Sequence, residues 1–230
     1  MIASRPGLVR QIVAVIHKDL LVEWRGQARL LAMGTYAVTL LLLFSFAVGP
    51  DTKTLQQHAA GYVWLALLSA STMTLTQSFR VETEAGALEA LLMLPVDHRA
   101  IYFGKALANT ALLVVLAFLV MPVAAILFDL SAAEGLYWLL PPIVLGAAGL
   151  AGPGTLYAAL TARVAAQQLM LPLLLFPLIV PALVAAVKST SLVLQGDPMG
   201  QMSSWLIVLA SFDLIFWSLS GLLFAKVVEE

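Results

Sequence analysis

ALANTALLVVLAFLVMPVAAILF, residues 106–128, holds no charged side chain over twenty-three positions, with Lys105 directly before it and Asp129 directly after. As a helix it measures roughly 35 Å, enough to cross hydrocarbon about 30 Å thick. Five more runs of this kind lie between charges: 30–48, 61–79, 136–162, 168–187 and 204–225, the last interrupted once by Asp213. The runs are continuous rather than alternating, which points to helices and away from a β-barrel. The expected class is an all-α integral membrane protein with six transmembrane helices.

Composition agrees. Of 230 residues 61% are hydrophobic and 11% charged, where a soluble domain carries about 25% charged. The net charge of −1 leaves no basic surface for a nucleic-acid partner. The absence of cysteine removes disulfides, thiolate-held zinc, iron–sulfur clusters and thiol nucleophiles. The first apolar run is broken by Arg10, Lys18, Asp19 and Glu23, so no signal peptide is expected.

Lysine and arginine set the expected orientation. Arg5, Arg10, Lys18, Arg25, Arg29, Arg80, Arg99, Lys105, Arg163 and Lys226 fall on one side of the six-span scheme, and only Lys53 and Lys188 on the other. Basic residues stay cytoplasmic. Both termini are expected inside, with loops 50–60, 129–135 and 188–203 outside. Residues 30–230 then form one six-span domain, since no segment between spans is long enough to bury a core of its own.

Residues 1–29 precede that domain. Leu8, Ile12, Ile16, Leu20 and Trp24 recur every four residues, Val9 and Val13 widen the stripe, and Arg10, Gln11, Lys18 and Arg25 sit elsewhere. This is an amphipathic helix suited to an anionic membrane surface. It either anchors span one or acts as an elbow that moves with a partner.

Between spans two and three, residues 81–94 read as a short cytoplasmic helix ended by Pro95. Leu88, Leu91 and Leu92 share one face, and Glu82 and Glu89, seven apart, share another. Such a helix fits a groove on another protein, or rests on lipid as a solvated connector. Spacing leaves these two readings open, though acidic residues sit poorly on anionic lipid.

Spans four and five are rich in helix modifiers: Pro141, Pro142, Gly146, Gly149, Gly152, Pro153 and Gly154 in one, Pro172, Pro177 and Pro181 in the other. Glycine permits close helix packing and proline bends a helix. The readings are packing with fixed kinks, or broken segments that hinge. Asp213, in mid-span, costs roughly 2.5–3.5 kcal/mol to insert and must face protein or water. Gln77, Asn109, Gln167 and Gln168 are its candidate partners, within the subunit or beside an interface.

Nothing here hydrolyses ATP. The only Gly-Lys pair, Gly104-Lys105, is followed by Ala106 and lacks the phosphate-cradling pattern. No histidine lies within a span: His17 and His98 are expected inside and His58 outside. Met33, Met73, Met121 and Met170 sit in or beside spans, where methionine more often packs than ligates. No directly bound cofactor or metal is expected.

The acidic stretch with Gly86, Leu88-Glu89, Leu91-Leu92 and Pro95, followed by Gly104-Lys105, resembles the first cytoplasmic loop of six-span ABC exporter permeases. Further matches are narrower: Gly49-Pro50-Asp51 with Gly61-Tyr62-Val63-Trp64; Pro95 to Tyr102 with Asn109; Leu145-Gly146 through Gly149; Gly154-Thr155-Leu156; Leu171 to Leu178 with Pro181; and Phe212-Asp213 through Glu230. In order and at matching length these resemble the CcmB family, the permease subunit of the cytochrome c maturation ABC transporter. Ala60, Ala85 and Ala225-Lys226 depart from its usual pattern.

The resemblance implies a cell inner-membrane location and haem as the handled ligand. It implies ATP on a separate CcmA subunit, a second CcmB-like copy, and CcmC, CcmD and the haem chaperone CcmE as partners. It makes Glu82, Glu84, Gly86, Leu88, Glu89, Leu91 and Leu92 the ATPase-docking residues. It implies ATP-driven release of haem-loaded CcmE from CcmC. Two other functions fit parts of the pattern: a half-permease exporting lipid, polysaccharide or drug, and a non-transporting membrane scaffold.

Overall fold

The computed structural model describes residues 7–84, 86, 97–130, 135–162 and 167–229. Among the described residues seven α-helices follow one another: α1 (Leu8–Gly26), α2 (Ala28–Val48), α3 (Thr52–Glu84), α4 (His98–Phe128), α5 (Leu140–Thr161), α6 (Gln167–Gln195) and α7 (Met202–Glu229). A 3-10 turn, Leu136–Leu139, leads into α5. Among the described residues there is no strand. Helices α2 to α7 are each long and apolar enough to cross a membrane. The protein is an all-α, multi-pass membrane protein.

Local chemistry sets the helix ends. At the end of α2, Gly49 takes φ +76° and its N–H bonds Ser45 O at 3.1 Å. Asp51 then caps α3, accepting the Thr54 N–H at 3.2 Å and the Thr54 hydroxyl at 2.6 Å. That cap starts α3 at Thr52, well before the expected Gly61, so most of the expected 50–60 loop is helix. Asp97 caps α4 through the Arg99 N–H at 2.9 Å, and α4 opens at His98 rather than Ala106. Helix α6 passes the expected end at Val187 and reaches Gln195, because Ser189 and Thr190 are buried within the bundle. Asp197 caps α7, accepting N–H groups of Gln201 at 2.8 Å and Met202 at 2.7 Å.

Helix α3 runs unbroken for 33 residues to Glu84, about 50 Å at the α-helical rise. Residues 81–84, expected to open a separate helix, therefore continue span two. Gly86 follows in a turn at φ +64°, its N–H on Thr83 O at 3.1 Å. Ala85 and residues 87–94 of the expected docking helix lie outside the described residues.

Spans four and five, open to reading as kinked packing helices or as broken segments, are each one continuous helix. Pro153 sits inside a continuous α5, and Pro172, Pro177 and Pro181 inside a continuous α6. Around Pro153, donors from neighbouring helices reach the α5 backbone. The Tyr102 hydroxyl donates to Gly152 O at 3.1 Å, and the Trp217 indole donates to Ala148 O at 3.0 Å. These bonds tie α5 to α4 and α7 on either side of Gly149, whose carbonyl loses its helical donor at Pro153.

Helix α5 is the centre of the bundle, touching α3, α4, α6 and α7. Its glycines face three of them. A Cβ on Gly154 would lie 2.5 Å from Leu75 Cδ1, and one on Gly152 2.5 Å from Trp217 Nε1. Gly146 takes the Trp64 ring, whose indole donates to Thr190 Oγ1 on α6 at 2.9 Å. Small residues thus admit large aromatics and close backbones, as expected where packing replaces the hydrophobic drive. Helix α2 is peripheral, burying only Met33, Ala37 and Leu41.

The bundle has two distinct ends. At one, Gln56 donates to Asp129 O at 2.7 Å and Gln195 to Gln57 O at 3.1 Å. These bonds join the three connections expected on one membrane side. At the other end α1 lies against α4, and the Gln11 side chain accepts the Asp97 N–H at 3.0 Å.

Candidate functional site

The α1–α4 junction gathers charged and polar side chains from four helices, and the sequence pattern of α1 only half reveals it. Of the expected stripe, Ile12, Ile16 and Leu20 are half-buried and its two ends are not. Trp24 is 77% and Leu8 42% exposed, whereas Val15 and Glu23 are buried. The face on the bundle carries Ile12, Val15, Asp19 and Glu23, at helical spacing. Val9, Val13, Leu21 and Val22 point outward, so α1 presents apolar surface on two sides.

Val15 seats on Gly104 of α4. A Cβ at Gly104 would lie 2.6 Å from Val15 Cβ and 3.2 Å from Ile12 O, so only glycine lets the two backbones approach this closely. The next residue, Lys105, is 2% exposed. Its ammonium donates to Ser78 O at 2.9 Å, reaches Asp19 Oδ2 at 3.3 Å and lies 4.8 Å from the Phe79 ring centroid. A buried charge needs such company. The other Asp19 oxygen pairs with Lys18 at 3.0 Å.

One turn along α4, the Asn109 amide donates to Ser78 Oγ at 3.2 Å and to Thr155 Oγ1 at 3.0 Å. Thr155 in turn donates to Ala151 O at 2.6 Å. A chain of polar contacts thus runs from α1 through α4 and α3 into α5. Four residues after Asp19, Glu23 pairs through Oε2 with Arg29 of α2 at 3.0 Å, while Oε1 has no partner. These side chains surround a cavity of about 140 Å³. Sequence reasoning took Lys105 as a span boundary and missed its pairing with Asp19. The usable signal was two carboxylates four residues apart on the same α1 face as Ile12 and Val15.

Chemically the junction is built to connect helices. Among the described residues no group of three His, Asp or Glu is placed to hold a metal ion. Met33 receives the Thr74 hydroxyl on its sulfur at 2.8 Å, and His58 Nδ1 lies 3.0 Å from Thr54 O. At the opposite end an apolar cavity of about 800 Å³ opens among Phe118, Met121, Leu136, Tyr137 and Ile143.

The remaining sequence-derived residues scatter. Glu82 and Glu84 occupy the last turn of α3, and Leu88, Glu89, Leu91 and Leu92 lie outside the described residues. Asp213 faces α5, with Oδ1 3.0 Å from where a Gly149 Cβ would sit. Both its oxygens are buried without a hydrogen-bond partner among the described residues. The expected pairing with Gln77, Asn109 or Gln168 is not made: Asn109 is committed to Ser78 and Thr155, Gln77 lines the α1–α4 cavity, and Gln168 is exposed. The Gln167 side chain lies outside the described residues. Pro172 is half-buried, and Pro177 and Pro181 face outward.

A model of the CcmB protein family matches residues 10–230, from inside α1 to the last residue of the sequence. The chain belongs to the CcmB family. Among its relatives, the Heme exporter protein B of Rhodobacter capsulatus is 34% identical over 174 residues, covering 74% of this chain and 78% of that protein. The Heme exporter protein B of Pseudomonas aeruginosa is 30% identical over 191 residues, 83% of this chain and 85% of that one. That of Paracoccus denitrificans is 30% identical over 188 residues, 81% and 85%. The CcmB match takes in nearly all of α1, so α1 and its junction with α4 fall within the matched residues.

Proposed function

We propose that this chain is the membrane permease subunit of an ABC transporter that handles haem for c-type cytochrome maturation. In this reading it lies in the inner membrane with both termini in the cytoplasm. It hydrolyses no ATP itself and works as a pair of copies with CcmA, CcmC, CcmD and CcmE. The observation that carries the reading is the match to the CcmB family over residues 10–230, in which relatives are named Heme exporter protein B.

The junction supplies a physical route for coupling. A partner that displaces α1 or residues 81–94 acts on helices that are already tied inward. Val15 is locked on Gly104, Lys105 links Asp19 to the α3 backbone, and Asn109 passes the displacement to Thr155 on α5. Packed elements with few alternative arrangements transmit such shifts rather than absorb them. The output is release of haem-loaded CcmE from CcmC.

The test uses the assembled complex in proteoliposomes with Glu82→Lys and Glu89→Lys combined. The expected result is normal insertion and assembly of the variant, with ATP-dependent chaperone release lost. Release retained at the native rate overturns the coupling role of the 81–94 segment.

A further inference from the structure

Glu23 has a polar demand that nothing among the described residues meets. Its side chain is 8% exposed, and Oε1 has no hydrogen-bond partner even though Oε2 holds Arg29. A buried carboxylate oxygen left bare is costly and calls for a donor. Glu23 is one of the residues lining the 140 Å³ cavity. A single water needs about 10–15 Å³ on this measure, so the space suits a group of several heavy atoms.

The lining defines the group. Lys18, Arg29 and Lys105 each already hold a carboxylate at 3.0–3.3 Å. The unmet atom is an acceptor, so the occupant brings N–H groups. Lys18 has 44% of its side chain exposed, leaving it able to take a phosphate oxygen as well. Glu23 closes α1 and Arg29 opens α2, the first span. The cavity therefore sits where an amphipathic surface helix meets a membrane-crossing one, the depth of lipid head groups. Val22 and Leu112 give it an apolar wall, and Val22 is itself 55% exposed.

We propose that this cavity binds the head group of a primary-amine phospholipid, its ammonium on Glu23 Oε1 and its phosphate toward Lys18. Phosphatidylethanolamine has this chemistry. Phosphatidylcholine has the same phosphate, but its quaternary ammonium offers no N–H. The inference stands apart from haem handling and survives if that reading fails.

The test places the full chain in nanodiscs holding equal phosphatidylethanolamine and phosphatidylcholine, and counts retained lipid by native mass spectrometry. Retention should favour the ethanolamine lipid about tenfold, as a charge-assisted hydrogen bond warrants. Glu23→Gln should bring that ratio to about one. Because that change also touches Arg29, Leu112→Trp serves as a second variant: it fills the cavity from its apolar wall and should abolish the preference equally. Equal retention of both lipids by the native chain overturns the proposal, as does a preference unchanged in both variants. In a second set of discs that adds an equal share of phosphatidylglycerol, stronger retention of that lipid would mean that the cations and not Glu23 select, and would overturn the proposal. Displacement by millimolar O-phosphoethanolamine without loss of bilayer would move the source from membrane to solute and overturn the lipid assignment.

Discussion

Asp19→Leu is the sharpest probe of the junction. Lys105 is 2% exposed and Asp19 about a fifth exposed. With Asp19 gone, the ammonium keeps Ser78 O at 2.9 Å and the Phe79 ring. Removing one partner of a buried pair costs about 3–5 kcal/mol. The ring returns about 0.5–1 kcal/mol, and water reaching the Asp19 side softens the rest. A loss of about 2–3 kcal/mol is expected, roughly 30- to 150-fold in the folded-to-unfolded ratio. Adding Lys105→Met removes the stranded charge, and the double variant should recover to within about 1 kcal/mol of the native protein.

The assay is a double-mutant cycle read from unfolding in one detergent at fixed protein concentration. A coupling energy of about 2 kcal/mol is expected. A value below about 0.5 kcal/mol, the size found for independent sites, would refute the view that Lys105 depends on Asp19.

Two further outcomes follow from geometry. Gly104→Ala forces a Cβ to 2.6 Å from Val15 Cβ and should cost about 1–3 kcal/mol by overpacking; adding Val15→Ala should restore much of it, and a neutral Gly104→Ala by melting temperature would contradict the close seat. At the start of α7, the Met202 N–H first, and the Gln201 N–H after it, hold the Asp197 carboxyl below its usual 3.8. A lowered value means the cap's contribution is full above that value and fades as pH falls through the folded one, so native and Asp197→Ala proteins should differ in melting temperature at pH 7 and converge as pH drops below 3.8; a constant gap across that range would remove the cap from the account.

The six crossings were legible because hydrocarbon imposes one requirement on every residue in a run, and charges mark where it ends. Helix ends were not, because they obey other chemistry. Asp51 starts α3 and Asp97 starts α4 by offering an oxygen to an N–H, outside any hydropathy count. Periodicity found α1 and its Ile12, but an apolar stripe leaves out Asp19 and Glu23, which share the bundle face with that residue. In the bundle those carboxylates turn inward because Lys105 and Arg29 meet them. That pairing joins positions far apart in the chain, a relation that no local spacing encodes. Asp213 was recognised as an intramembrane carboxylate, but its neighbour proved to be the Gly149 backbone region rather than an amide side chain.

The amide ties at the far end of the bundle have a leverage consequence. Gln56 is fastened to Asp129, and its own carbonyl stands 3.4 Å from the Gln195 amide, so the start of α3 is pinned while Glu84 lies about 42 Å away along the same rod. A tilt of about 5° around that fulcrum sweeps Glu84 through about 4 Å. A small angular change at one end therefore becomes a stroke of atomic-diameter size at the other.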